Sequence, residues 1–146
     1  MNADFATQRS AMIDSQLRTV GVNEPDVLAA VAAVPRERFV PAARAALAYV
    51  DGAVALGGGR SMVEPMILGL LLTHLRIAPG EKVLIVGAAT GYSAAVVAEL
   101  TPHVTALECD GALAAHARNA GINVVEGPLA AGWAAGAPYD VLLIDG

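Results

Sequence analysis

Apolar positions change their spacing midway along the chain. Phe5, Met12, Ile13, Gln16, Leu17 and Val20 fall on or near one helical face, and Gly21 is placed to end that helix. Asn23 and Pro25 read as a cap and first turn leading into Val27, Leu28, Val31 and Val34, and Pro35 stops this second helix. Pro41 opens a third short helix through Leu47. Residues 51–60 hold Gly52, Gly57, Gly58 and Gly59 and are expected to form a loop, after which Pro65 starts a helix containing Met66, Leu70 and Leu71. Beyond Pro79 and Gly80, short continuous apolar runs alternate with helical stretches. Strands are predicted at 83–87, 104–108, 123–126 and 139–144, helices at 92–100 and 112–119, and a short helix between 129 and 135. Such alternation predicts right-handed crossovers and an α/β fold, with a parallel sheet covered on both faces. The chain thus divides into a helical section, 1–79, and a strand–helix section, 80–146, within one structural domain. The fourth predicted strand, ending just before Gly146, is expected to be a sheet edge with an apolar face. An edge of that kind invites pairing with a further piece of sheet or with a second copy of the chain, giving a homo-oligomer.

Composition narrows the function classes. Hydrophobic residues make up 55% of the 146 and charged residues 16%, so the chain can bury a core and disorder is not expected. Net charge is −5, and the nine basic residues form no stripe, which speaks against a nucleic-acid partner. The uncharged stretch 83–98 is broken by Gly87, Thr90, Gly91, Tyr92 and Ser93 and falls short of the ~20 apolar residues of a membrane helix. One cysteine, Cys109, forms no internal disulfide, in keeping with a cytoplasmic setting, and no secretory leader pattern opens the chain.

The candidate chemistry sits at 83–92, VLIVGAATGY. Four apolar residues form a strand, Gly87 and Gly91 let the backbone turn tightly and approach a ligand, and a helix follows from Tyr92. Glu108, twenty-one positions after Gly87, ends the next strand, where a carboxylate can accept hydrogen bonds from both ribose hydroxyls. Each feature also has an ordinary reading: turn glycines, and a solvated strand end for Glu108. His74, His103 and His116 share no metal-ligand spacing; Cys109 reads as a small buried filler, Met62 and Met66 as packing residues, Asp140 as a turn cap, and Arg60 as an exposed loop residue.

Six segments in order carry a resemblance: MIDSQLRTVG (12–21), VLAA (27–30), VPRERFVP (34–41), AYVD (48–51), the glycine loop with RSMVEP (60–65), and 79–92, with PYD (138–140) opening the fourth strand. Over nearly its whole length the chain resembles protein-L-isoaspartate O-methyltransferases, a branch of the S-adenosylmethionine-dependent methyltransferases. The resemblance implies a Rossmann-like, doubly wound, mainly parallel sheet of which four strands are present here, beside an N-terminal helical section. It implies S-adenosyl-L-methionine as cofactor and isoaspartyl-containing proteins or peptides as substrate, in protein repair. By the resemblance, Gly87, Ala89, Gly91 and Tyr92 line the cofactor, Glu108 holds its ribose, and the loop with Gly59, Arg60, Ser61 and Val63 covers it and shapes the substrate cleft. Ser61 keeps a hydroxyl where the family has Thr.

Methyl transfer from a sulfonium to a carboxylate is an in-line displacement on an acceptor already ionised near neutral pH, so alignment matters more than a strong base. Asp145, at the carboxyl end of the fourth strand, is placed to supply an acid near the sulfonium. Two positions depart from the family. Val63 replaces a Ser implicated in contacting the substrate carboxylate, and Pro128 replaces an Asp that contacts the adenine amine. They leave open a cofactor-binding relative that has diverged or been shortened into a binding or regulatory module. A nicotinamide-dependent oxidoreductase is a third reading, disfavoured because glycines 87 and 91 with alanines between do not make G-x-G-x-x-G.

Overall fold

A computed structural model describes residues 4–146. The chain separates into two compact units, 1–76 and 77–146.

In the first unit, α1 (Phe5–Met12) is capped by Asp4, which accepts the Thr7 N–H at 3.1 Å. The helix continues as a π-turn over Ile13–Leu17 and a 3-10 turn over Arg18–Val20, ending at Gly21 in the left-handed region. Helix α2 (Pro25–Ala33) starts with Pro at its first turn, but its cap residue is Glu24 and not Asn23. The helix stops because Val34 precedes Pro35 and is driven to extended backbone. Residues Arg36–Phe39 and Ala42–Leu47 are 3-10 turns, so the predicted third helix is tighter than an α-helix.

The expected loop is in part a hairpin. Strands β1 (Val54–Gly57) and β2 (Arg60–Met62) pair antiparallel around a Gly58–Gly59 turn, with Gly57, Gly58 and Gly59 all at positive φ. A two-residue turn with left-handed backbone at both central positions, the type I′ form, suits glycine, which adopts that region without a Cβ penalty. Helix α3 (Pro65–Leu75) follows.

The second unit is built on a four-stranded parallel sheet in the order β5-β4-β3-β6, from β3 (Val83–Val86), β4 (Val104–Glu108), β5 (Val124–Glu126) and β6 (Val141–Ile144). Helix α4 (Tyr92–Ala98) packs on β4, and α5 (Gly111–Asn119) on β4 and β5. Two 3-10 turns, Leu129–Ala131 and Ala134–Gly136, stand where one short helix was expected. Val83, Ile85, Ala106 and Leu107 are wholly buried, as central parallel strands require.

Strand β6 is the sheet edge, and its burial alternates. Val141 and Leu143 are buried, whereas Leu142 and Ile144 are 59% and 74% exposed. This is the apolar sheet edge expected of the fourth strand. Leu84, Val86, Leu142 and Ile144 join Leu129, Trp133 and Tyr139 in lining an apolar groove of about 460 Å³.

Candidate cofactor-binding site

The backbone between β3 and α4 makes three left-handed steps, at Gly87 (φ +76°), Ala89 (φ +52°) and Gly91 (φ +96°). Glycine adopts this region freely, whereas Ala89 holds it against the repulsion of its Cβ. The bend is fixed from both sides. Gly87 and Ala88 donate to the Leu107 carbonyl at 2.9 and 3.1 Å, and Gly91 donates to the Ala88 carbonyl at 2.9 Å. Gly91 also lies under α5: a Cβ there would stand 2.9 Å from Ile122 Cγ1 and 3.1 Å from Ala117 Cβ.

Glu108 is not a solvated strand end. It is fully buried, and its two carboxylate oxygens accept the Ala89 N–H at 2.7 Å and the Asp110 N–H at 2.8 Å. One side chain therefore joins the bend after β3 to the turn after β4. Backbone donors of this kind stabilise a carboxylate that burial alone would penalise.

The other predicted residues of this region fall around the same bend. Tyr92 is buried in the first turn of α4. Ser93, its neighbour, has a buried hydroxyl oxygen without a hydrogen-bond partner, an acceptor and donor aimed nowhere within the protein. Asp145 follows β6 and donates its N–H to the Val86 carbonyl at 2.8 Å, which holds it beside the end of β3. Pro128, just after β5, offers no side-chain polar atom. The chemistry of these residues fits a polar, nucleoside-sized cofactor: a left-handed backbone bend, a buried acid bonded to it, and a buried Ser93 hydroxyl without a partner in the first turn of α4.

Gly59, Arg60, Ser61 and Val63 lie on the hairpin and the residues after it, in the first unit. Ser61 is exposed, and Met62 is buried as a packing residue. Arg60, expected to be exposed, is half-buried. Cys109, expected to be a buried filler, is exposed. Asp140 orients backbone as anticipated, accepting the Lys82 N–H at 2.8 Å. Among the described residues no group of His, Cys, Asp and Glu is arranged to hold a metal ion, and no helix is long and apolar enough to cross a membrane.

Sequence reasoning missed Arg36. Its side chain is wholly buried and donates from Nε to the Ala48 carbonyl at 2.6 Å and from Nη2 to the Val63 carbonyl at 2.7 Å. Its backbone N–H donates to the Tyr49 hydroxyl at 3.1 Å. Tyr49 in turn accepts from Arg9 Nε at 2.8 Å and donates to Glu37. Burial, followed by the hydrogen bond to Glu37, pushes the Tyr49 hydroxyl up to about 12.

Comparison with known proteins follows the same lines. Residues 7–145 match the family described as protein-L-isoaspartate(D-aspartate) O-methyltransferase. The chain is 40% identical over 147 residues to protein-L-isoaspartate O-methyltransferase 1 of Rhodopseudomonas palustris, covering 96% of this chain and 60% of that protein. It is 42% identical over 147 residues to the Methylorubrum extorquens protein-L-isoaspartate O-methyltransferase, covering 97% and 64%. It thus spans less than two thirds of the length of these curated relatives. A solved protein-L-isoaspartate O-methyltransferase superposes with a TM-score of 0.79 at 25% identity, covering 93% of this chain and 47% of that one. A putative protein-L-isoaspartate O-methyltransferase from Plasmodium falciparum, solved in complex with S-adenosyl-L-homocysteine, superposes at 0.77 with 15% identity, a likeness of fold.

Proposed function

The chain belongs to the protein-L-isoaspartate(D-aspartate) O-methyltransferase family, and from that premise we propose that it binds S-adenosyl-L-methionine at the β3–α4 bend and serves methyl transfer to the carboxylate of isoaspartyl residues in damaged proteins. The observation that carries this reading is the bond from the Ala89 N–H to Glu108 Oε1 at 2.7 Å, which puts a buried acid against the bend from the end of the next strand. When bound, such a cofactor supplies an electrophilic methyl group on sulfur and a neutral thioether leaving group.

The protein's share is binding and alignment. Gly87, Ala89 and Gly91 present backbone at close range, with Tyr92 and Ser93 in the first turn of α4 behind them. Glu108, at the end of β4 and bonded to the bend through the Ala89 N–H, is the acid that takes the ribose hydroxyls. Asp145 places an acid beside the end of β3, where it favours positive charge. On the acceptor side, Ser61 offers a hydroxyl and Arg60 a cation to an isoaspartyl carboxylate, with Gly59 and Val63 as loop backbone. Because that carboxylate is ionised at neutral pH, no general base is required. The cytoplasm is the setting that fits such a role.

Val63 and Pro128 favour a second reading, a relative that binds the cofactor but has lost the acceptor or the full affinity. The exposed edge of β6, with Leu142 and Ile144 on its open face, is the surface through which two copies would associate.

Calorimetric titration with S-adenosylhomocysteine, and in parallel with NAD, tests the cofactor. Binding of NAD alone would overturn both readings. Transfer of label from a methyl-labelled donor to an isoaspartyl peptide then separates them: labelling supports repair, and cofactor binding without labelling supports the diverged module.

A further inference from the structure

We infer that Arg36 is a positioning residue for the acceptor loop, setting where residues 61–63 stand by holding the Val63 carbonyl. The inference rests on reading that loop as the acceptor side of the proposed reaction.

A guanidinium taken wholly out of water costs several kcal/mol unless its donors are used. Arg36 directs two of its nitrogens, Nε and Nη2, at backbone carbonyls. Nε bonds Ala48 and Nη2 bonds Val63, at 2.6 and 2.7 Å, the short lengths of charge-assisted bonds. The two carbonyls lie fifteen residues apart in sequence, on opposite sides of the β1–β2 hairpin. One guanidinium therefore closes the base of the excursion that carries Gly59, Arg60 and Ser61.

The two ends of this brace differ in how well they are held. On the Ala48 side, Gln16 Nε2 bonds the Tyr49 carbonyl at 2.9 Å, and the Tyr49 hydroxyl engages Arg9, Glu37 and the Arg36 N–H. On the other side, the hairpin is two short strands around two left-handed glycines. Val54 and Met62 are its buried members, and a two-stranded hairpin is marginal alone. The rigid end is thus the turn at Ala48 and Tyr49, and the end that gains order is Val63.

Val63 is where a side chain that reads the acceptor is expected. A shift of its carbonyl carries the preceding Ser61 and Arg60 with it. Arg36 acts through backbone and needs no contact with either substrate.

The test compares the 146-residue chain with Arg36→Lys, which keeps the charge but reaches one carbonyl, and Arg36→Met, which keeps the stem and loses every donor. Amide hydrogen exchange is read in peptides covering 54–64, in α2 and in β3–β4. We expect exchange at 60–64 to rise about tenfold or more in Arg36→Met and by less in Arg36→Lys, with α2 and β3–β4 within about twofold of the parent. With an isoaspartyl peptide as acceptor, KM should rise while kcat stays within about threefold.

Unchanged exchange at 60–64 in a folded Arg36→Met would overturn the inference. So would a rise shared equally by α2, or collapse of both variants, since Arg36 would then support the unit as a whole. If only Arg36→Met fails to fold, Arg36→Lys decides by the same local-against-global comparison. Local loosening with KM unaltered would also overturn it. A parent chain that methylates no isoaspartyl peptide defeats the acceptor reading separately, and exchange at 60–64 still decides whether Arg36 sets the loop.

Discussion

A Cβ placed on Gly87 would collide with the backbone of Gly146, standing 2.9 Å from its carbon and 3.0 Å from its nitrogen. Gly87 is thus fixed by two independent demands, its φ of +76° and the backbone lying against its bare α-carbon. Gly87→Ala meets both penalties, left-handed strain and overpacking against main chain, together about 2–4 kcal/mol. Urea unfolding of the variant should show that loss. A loss below about 1 kcal/mol would mean that the end of β6 moves aside freely.

Ala89 presents the opposite case in the same bend. It pays for a Cβ at φ +52° with no glycine freedom. Ala89→Gly removes about 1–2 kcal/mol of left-handed strain and returns about 0.4–1 kcal/mol as unfolded-state entropy. The net expectation is a gain of about 0.5–1 kcal/mol, or about 2 °C in Tm for a chain of this size. Calorimetric melting of the single variant checks it.

These two positions indicate what a sequence can and cannot disclose. Gly87 and Gly91 mark the bend by residue type, and the runs VLIV, VTALE and VLLI mark β3, β4 and β6, because continuous apolar stretches suit strands buried in a parallel sheet. The β1–β2 hairpin was hidden by glycine density, although Gly58 and Gly59 between Val54 and Met62 carry the two-residue turn signal. Asn23 lost the cap to Glu24 because backbone at Glu24 leaves the helix, whatever the side-chain preference. Arg36 draws no reading of its own from the sequence, and Glu108 reads as the ribose acid with a solvated strand end as the ordinary alternative. Their burial depends on carbonyls and N–H groups far along the chain, at Val63 and Ala89, and no local pattern encodes those partners. The open face at Leu142 and Ile144, by contrast, is expected, because the fourth strand reads as an apolar sheet edge.

The Glu108 bonds give a direct expectation for the cofactor site. Glu108→Gln replaces one acceptor oxygen by an NH2 group, which must turn against either the Ala89 or the Asp110 N–H. Loss of one hydrogen bond to a charged group is worth about 1.5–3 kcal/mol, so S-adenosylhomocysteine affinity should fall by ten- to a hundredfold. Glu108→Ala should fall at least as far. Titration calorimetry on both variants checks this, with melting as the control for folding.

Tyr49 makes stability depend on alkaline pH. Burial and the bond to Glu37 raise its hydroxyl from the ordinary 10.0 to about 12, so the folded state favours the neutral phenol. A group whose folded value is raised contributes stability that is complete below pH 10 and lost as pH climbs toward 12. Tyr49→Phe should remove that part of the pH slope. It should also cost about 1–3 kcal/mol at neutral pH, because Arg9, Glu37 and the Arg36 N–H lose their common partner. Urea midpoints measured across the alkaline range for both proteins check both effects; parallel slopes would exclude Tyr49 as the source.

Val63 supplies the sharpest expectation about the acceptor. Its carbonyl is held by Arg36 at 2.7 Å, so a new side chain at this position keeps the same backbone anchor. Val63 is half-buried, and serine is smaller than valine, so Val63→Ser introduces a hydroxyl without overpacking. A hydroxyl that reaches the isoaspartyl carboxylate adds one charge-assisted bond of about 1.5–3 kcal/mol. Realised in the transition state, that raises kcat/KM for an isoaspartyl peptide by ten- to a hundredfold. S-adenosylhomocysteine affinity should stay within about twofold, because the bend and Glu108 are untouched. Initial rates of label transfer from a methyl-labelled donor measure the gain. An unchanged rate on a peptide that the parent chain does methylate would mean that the carboxylate is read elsewhere on the loop, with Ser61 and Arg60 the next residues to vary.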